Sequence, residues 1–140
     1  MVYKYFEHQA DVGIIGQGKT LEESFQEAAR AMFQIMASLN KIEDKKSVSI
    51  SVKSKDFEEL FIEWLNELLA QVDLKNMLFS RFDIKIEKKK DTYILKGKAY
   101  GEKINSEKHK LKTEVKAASY SQLKVKKENN KYTARCVVDV

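Results

Sequence analysis

The last residues of the chain are its strongest constraint. The segment Cys136-Val137-Val138-Asp139-Val140 is apolar at both alternating positions as far as Val138, with no polar tail after it. A strand with one wetted face alternates apolar with polar residues, whereas one that is apolar on both faces must be covered on both. The segment therefore reads as a strand buried in mid-sheet that keeps Asp139 and the terminal carboxylate in ordered structure. Near the other end stands His8-Gln9-Ala10-Asp11-Val12-Gly13. If that turn lies beside the last strand, the carboxylates of Asp11, Asp139 and Val140 converge, and neither motif brings a cationic side chain to offset them. Carboxylates held together share a proton or bind a cation. An all-oxygen set selects a hard ion such as Ca²⁺, Mg²⁺ or Mn²⁺.

Two segments predict helices. The first repeats Leu21, Phe25, Ala28, Ala29, Met32, Met36 and Leu39 at helical spacing, and Thr20-Leu21-Glu22-Glu23 fits a capping box. Asn40 is expected to close it in a left-handed turn. The second repeats Phe57, Leu60, Phe61, Trp64, Leu65, Leu68 and Val72 behind Asp56. The remainder alternates like strands: Val48 to Val52, Phe82 to Ile86, Thr92 to Tyr100, Glu114 to Tyr120, Leu123 to Lys127 and Tyr132 to Val140. Turns are expected at Asp91 and at Asn129-Asn130. Strands, helix, strand, helix and a run of strands point to an α+β fold with two helices packed on a largely antiparallel sheet. No linker, repeat or low-complexity segment breaks the chain, so residues 1–140 read as one domain.

Hydrophobic residues make up 43% of the chain and charged residues 34%, enough for a core and a wetted surface. No apolar run approaches the roughly 18 residues that span a bilayer, and Met1-Val2-Tyr3-Lys4-Tyr5 lacks the plan of a signal peptide. The lone Cys136 cannot form an internal disulfide and reads as a buried, inert thiol. A cytoplasmic location is the expectation. The net charge of +5 is unevenly spread. Residues 1–80 hold 9 Lys/Arg against 13 Asp/Glu, and residues 81–140 hold 17 against 8. That second half can face RNA phosphates or an acidic protein. The simpler reading is that its lysines solvate a sheet and blunt its edges, since few aromatics are interleaved for base stacking.

Three segments also carry a family resemblance. His8-Gln9-Ala10-Asp11-Val12-Gly13 is similar to a His-Thr-Ala-Asp-Val-Gly signature. Thr113-Glu114-Val115-Lys116-Ala117-Ala118-Ser119-Tyr120 resembles a Gly-Thr-Glu-Val-Lys-Ala core, and Val137-Val138-Asp139-Val140 a hydrophobic-Asp-hydrophobic terminus. In that order, over nearly all 140 residues, the chain resembles the archease family. Gln9 departs from the usual threonine and Lys112 from the usual glycine, and both departures spare the acidic positions. The resemblance implies two small β–α–β modules, one inserted in the other, with the N- and C-terminal strands brought together. It implies that Asp11 and Asp139 bind metal with main-chain oxygen from Val140, Ca²⁺ before Mg²⁺ or Mn²⁺. It further implies a non-catalytic activator of an RtcB-type tRNA-splicing RNA ligase. Such a protein promotes guanylylation of the ligase, permits multiple turnover and can broaden nucleotide choice.

Taken without the resemblance, the residues leave alternatives open. Asp11 is also a plain turn aspartate bonding its own backbone, Asp139 a frayed terminal residue, and His8 a structural histidine. Glu23 and Glu59 look like helix caps and Glu63 and Glu67 like solvated positions, yet any of them can add a carboxylate to the cluster. His109, near Glu107 and Glu114, reads as a surface residue of a charged loop. Gly16-Gln17-Gly18-Lys19-Thr20 lacks the spacing of a phosphate loop, and no serine or cysteine triad is evident. A small metal-dependent phosphohydrolase and a basic RNA-binding or chaperone-like module are the competing functions.

Overall fold

Both helices begin at their predicted caps. The computed structural model describes residues 1–8 and 11–140, apart from the side chains of residues 7 and 8. In it α1 spans Leu21–Met36, and the Thr20 hydroxyl accepts the Glu23 N–H at 3.1 Å. The Glu23 carboxylate reaches back to the Lys19 N–H at 2.9 Å, one residue beyond the usual capping box. Helix α2 spans Phe57–Lys75, with Asp56 accepting the Glu59 N–H at 2.7 Å. The left-handed asparagine is Asn76, at φ 54°, and it ends α2. Asn40 does not close α1, which stops at extended Ala37. Asn40 sits instead in a 3-10 turn, Leu39–Lys41, whose Leu39 is buried with its N–H bonded to the Gln34 side chain at 2.8 Å.

The strands are β1 Val2–His8, β2 Asp11–Gly18, β3 Lys46–Ser54, β4 Met77–Lys89, β5 Thr92–Lys103, β6 Ala117–Glu128 and β7 Lys131–Asp139, with a short helix α3, Ser106–His109, between β5 and β6. They form two antiparallel sheets rather than one, ordered β1-β2-β7-β6 and β3-β5-β4. Strand β7 lies inside its sheet, as its two apolar faces require. Its N-terminal neighbour is β2, with β1 at the edge. The two strands expected over residues 114–127 are one strand, β6, broken by an irregularity between Ser119 and Lys124 where Gln122 takes φ 55°. The predicted turns form at Lys90, φ 58°, and at Asn129 and Asn130, φ 52° and 62°.

The nested arrangement is plain in the order of elements. Strands β1, β2, β6 and β7 with α1 make one module, and β3, α2, β4 and β5 are inserted between α1 and β6. The insertion returns to its start: Lys112 and Thr113 donate their N–H groups to Met36 and Ile35 carbonyls at 2.9 and 3.2 Å.

The helices lie between the sheets. Helix α1 packs on β2 and β7 and also meets β4, while α2 packs on β3 and β5 and also meets β6. Trp64 of α2, fully buried, donates its indole N–H to the Phe25 carbonyl of α1 at 3.0 Å. One buried cluster draws on both modules, with Phe25 against Phe61 and Trp64 edge-on to Phe82. Helix side chains also cap strand edges. Gln26 and Glu22 accept the Ile84 and Ile86 N–H groups of edge strand β4, each at 3.2 Å. On edge strand β6, Glu58 accepts from Val125 at 3.1 Å, and Asn66 accepts from Ala118 N–H at 2.9 Å while donating to its carbonyl.

Close approach of α1 to β2 depends on Gly16. A Cβ there would stand 2.1 Å from the Ser24 carbonyl oxygen and 2.3 Å from Ala28 N, both backbone atoms that cannot move alone. Gly16→Ala is therefore expected to lower stability by about 1–3 kcal/mol or more through overpacking, read from urea unfolding midpoints.

Candidate metal centre

Asp11 is the first residue of β2 and Asp139 the last of β7. The pair Val12↔Val138 fixes the antiparallel register. One step outward, it sets Asp11 directly across from Asp139 on the same face, with Cβ atoms about 5 Å apart for such a pair. Alternation makes this the outer face. Ile14, Gly16, Cys136 and Val138 point toward α1, so Asp11, Gly13, Ile15, Arg135, Val137 and Asp139 point away from it. Gly13 leaves room for the Phe6 ring, which a Cβ would strike at 2.3 Å. The one cation of β7 nearby, Arg135, lies 4.4 Å over that ring and bonds the Gln122 carbonyl at 3.3 Å. Among the described residues neither aspartate forms an ion pair.

The second motif reaches the same place. Thr113-Glu114-Val115-Lys116 is a strap with buried Val115. It is tied to α1 by the Thr113 N–H and to β7 by the Lys116 N–H, which donates to the Asp139 carbonyl at 2.8 Å. Val140 packs, half-buried, against the core at this end. A cleft of about 430 Å³ opens beside the strap, between Met36, Leu69, Val72 and Ile104. His8 pairs in register with Asp11, while its side chain, with Gln9 and Ala10, lies outside the described residues.

These donors suit a hard cation: two facing carboxylates without a neutralising partner among the described residues, and main-chain oxygen next to them. Among the described residues no three His, Cys, Asp or Glu side chains are placed to hold a metal ion together. A shell of six or more oxygens would therefore also need main-chain oxygens and water.

Residues 3–140 match the Archease protein family (MTH1598/TM1083). The chain belongs to this family. It is 42% identical over 139 residues to the protein archease of Pyrococcus furiosus, covering 99% of this chain and 98% of that one. It is likewise 42% identical over 138 residues to the protein archease of Sulfolobus acidocaldarius, with the same coverage. The solution structure of Methanobacterium thermoautotrophicum protein 1598 superposes with a TM-score of 0.88 at 36% identity, over 99% of this chain and 98% of that one. The crystal structure of a Thermotoga maritima archease, described as a possible chaperone, shares the fold with a TM-score of 0.60 at 20% identity, over 98% of this chain and 96% of that one.

Within this archease-family fold the other acidic candidates fall elsewhere. Glu23 packs at Gly18, seven residues along β2 from Asp11 and so about 23 Å away. Glu59 starts α2 beside Glu58, which bonds Val125 toward the far end of β6. Glu63 and Glu67 sit on α2, in the helix layer behind the inner face, where Glu67 accepts from Gln71 at 2.8 Å. Cys136 is fully buried, and burial pushes its thiol up to about 12, leaving it inert.

His109 is not on the surface. It is 1% exposed, at the end of α3. Its Nδ1 accepts the Asn105 N–H at 2.9 Å, so Nε2 carries the proton and donates to the Glu102 carboxylate at 3.0 Å. Glu102 is itself buried and takes a Lys108 ammonium at 2.8 Å and the Glu43 N–H at 2.9 Å. The dense charges around His109 looked like a solvated loop, and the cluster forms only because β5 and the segment after Ile42 meet in space. The readable signal was the i, i+4 pair Asn105–His109. Burial alone would raise the Glu102 carboxyl, but its bonds to Lys108, Glu43 N–H and His109 outweigh this and hold it at about 2, against 4.5 when exposed. A carboxyl depressed by folding contributes stability above its unfolded value and loses it as pH falls toward the folded one. Stability is thus expected to fall between pH 4.5 and about 2. Glu102→Gln should be less stable at neutral pH and show a flatter decline across that window, measured by urea unfolding at stepped pH.

Proposed function

We propose that this archease-family chain is a non-catalytic activator of an RtcB-type tRNA-splicing RNA ligase, acting in the cytoplasm. It promotes guanylylation of the ligase and multiple turnover, and widens its nucleotide choice. The observation that supports this best is the meeting of all three family motifs at one end of the β2–β7 pair, around two facing carboxylates. In this reading Asp11, Asp139 and main-chain oxygen of Val140 hold a hard divalent ion, Ca²⁺ by preference and Mg²⁺ or Mn²⁺ otherwise. A bound ion would supply positive charge that attracts a phosphate or carboxylate of a partner. A non-catalytic role is favoured over a phosphohydrolase because no base is seen positioned beside Asp11 and Asp139 among the described residues, His109 has both ring nitrogens engaged and Cys136 is sealed in the core. The Thermotoga relative, described as a possible chaperone, fits an accessory role as well.

The direct test mixes the protein with ligase, GTP, Mn²⁺ and cleaved tRNA and compares turnover with and without it. Acceleration is expected, with no ligation or phosphate release by the chain alone. Phosphate release that disappears in Asp11→Ala would favour the hydrolase.

Asp11→Ala and Asp139→Ala are each expected to lose Ca²⁺ and Mn²⁺ binding and ligase activation while keeping the fold, because removing one carboxylate also relieves repulsion in the metal-free protein. Calorimetric titration decides, and unchanged affinity in both variants would eliminate the site.

A further inference from the structure

The second sheet turns one face to the helices and leaves the other bare. Ile50, Ile84, Leu95 and Ala99 are buried on the inner side. By alternation and register, the outer side carries Lys53 on β3, Lys96 and Lys98 on β5, and Arg81, Lys85 and Lys89 on β4, all exposed. Against these six cations the same face sets two acids, Asp83 and Glu87. Among the described residues none of the five lysines has a carboxylate within ion-pair distance. Lys85 stands directly across from Lys96, while Lys98 faces Asp83. Like charges opposite each other destabilise a sheet, so this face carries a cost that a bound polyanion would remove.

Arg81 adds a feature that solvation does not explain. Its guanidinium lies 3.7 Å above the Tyr100 ring, and Nε donates to Asp44 at 3.0 Å. The group is thus held flat, with one side on the tyrosine and its terminal amino groups free of hydrogen bonds among the described residues. Beside it a hollow of about 550 Å³ runs between Lys85, Lys96, Lys98 and Tyr100, with Asp83 and Glu87 also in its lining. Across β5 the row continues with exposed Ser47, Ser49 and Ser51, short hydroxyls that leave the surface open.

We propose that this face binds single-stranded RNA, with backbone phosphates on Lys85, Lys96 and Lys98 and an unstacked base on the guanidinium of Arg81. Two observations select RNA over an acidic protein. Protein interfaces are depleted of charge at their centre and apolar there, whereas the middle of this face is Lys96 and Lys98. A guanidinium plane fixed on an aromatic ring is a platform for a splayed base, which a single strand offers and a duplex does not. The proposal does not depend on the ligase reading, since the face belongs to the other sheet from Asp11 and Asp139.

The test is fluorescence anisotropy of a short labelled RNA of mixed sequence, titrated with the protein alone over a salt series. Contact of phosphates with Lys85, Lys96 and Lys98 gives a log–log salt slope of about −2 for a single strand. Lys96→Ala with Lys98→Ala should weaken binding about tenfold and reduce that slope by about 1.4. Arg81→Ala should weaken binding about tenfold with a smaller change in slope, the signature of lost stacking. Lys124→Ala with Lys126→Ala, on the first sheet, should change nothing. All these residues are exposed, and unaltered thermal unfolding checks that the variants fold. The proposal is overturned if the wild-type protein shows no salt-dependent RNA binding, or if the β6 pair costs as much as the β5 pair. It is equally overturned if the β5 variants keep RNA affinity but lose affinity for the ligase, which would make this face a protein-docking surface.

Discussion

Everything else in the fold depends on how the two helices bond to strands that are not their own. An edge strand presents a row of unpaired amides that must find partners or water. Here α1 packs on the first sheet and caps the edge of the second through Gln26 and Glu22. Helix α2 packs on the second sheet and caps the edge of the first through Glu58 and Asn66. Each sheet is held from its face by one helix and from its edge by the other. Asn66 matters most for the site, because the residue it grips in both directions, Ala118, pairs with Val138. The strand end that carries Asp139 is therefore positioned from the middle of α2.

The two ends of the charge scale sit on different sheets. At the end of β2 and β7 carboxylates face each other without a cation among the described residues. Across the outer side of β3-β5-β4 Lys85 faces Lys96, and six cations outnumber two acids. Both arrangements cost free energy in the isolated chain, and both are relieved by a ligand of opposite sign.

Where periodicity was strong, the sequence was enough. The caps Thr20 and Asp56, the alternation of Phe82 to Ile86 and the Asn129-Asn130 turn follow from local chemistry and formed as expected. The doubly apolar run ending at Val138 located β7 inside a sheet. Division into two sheets was not legible, because alternation reports which face is wet and not which strands pair. His109 was misplaced for a related reason: its burial comes from Glu102 and from backbone far away in sequence, and charged neighbours concealed it. Asn40 was read as a cap because asparagine tolerates positive φ, but burial of Leu39 decided the turn there. Of the candidate site, the aspartates were legible through the family motifs. Their facing positions came from register, which no single strand reveals.

The clamp where Lys112 and Thr113 meet Met36 and Ile35 has a topological consequence. Seen from the first sheet, residues 37–111 leave and re-enter at nearly the same point, so a whole folded unit takes the place of a tight turn. The entropy of closing a loop rises only with the logarithm of its length, and a folded unit with its ends already adjacent removes most of even that. Strands far apart in the chain, β2 and β7, thus behave as near neighbours once the insert has folded.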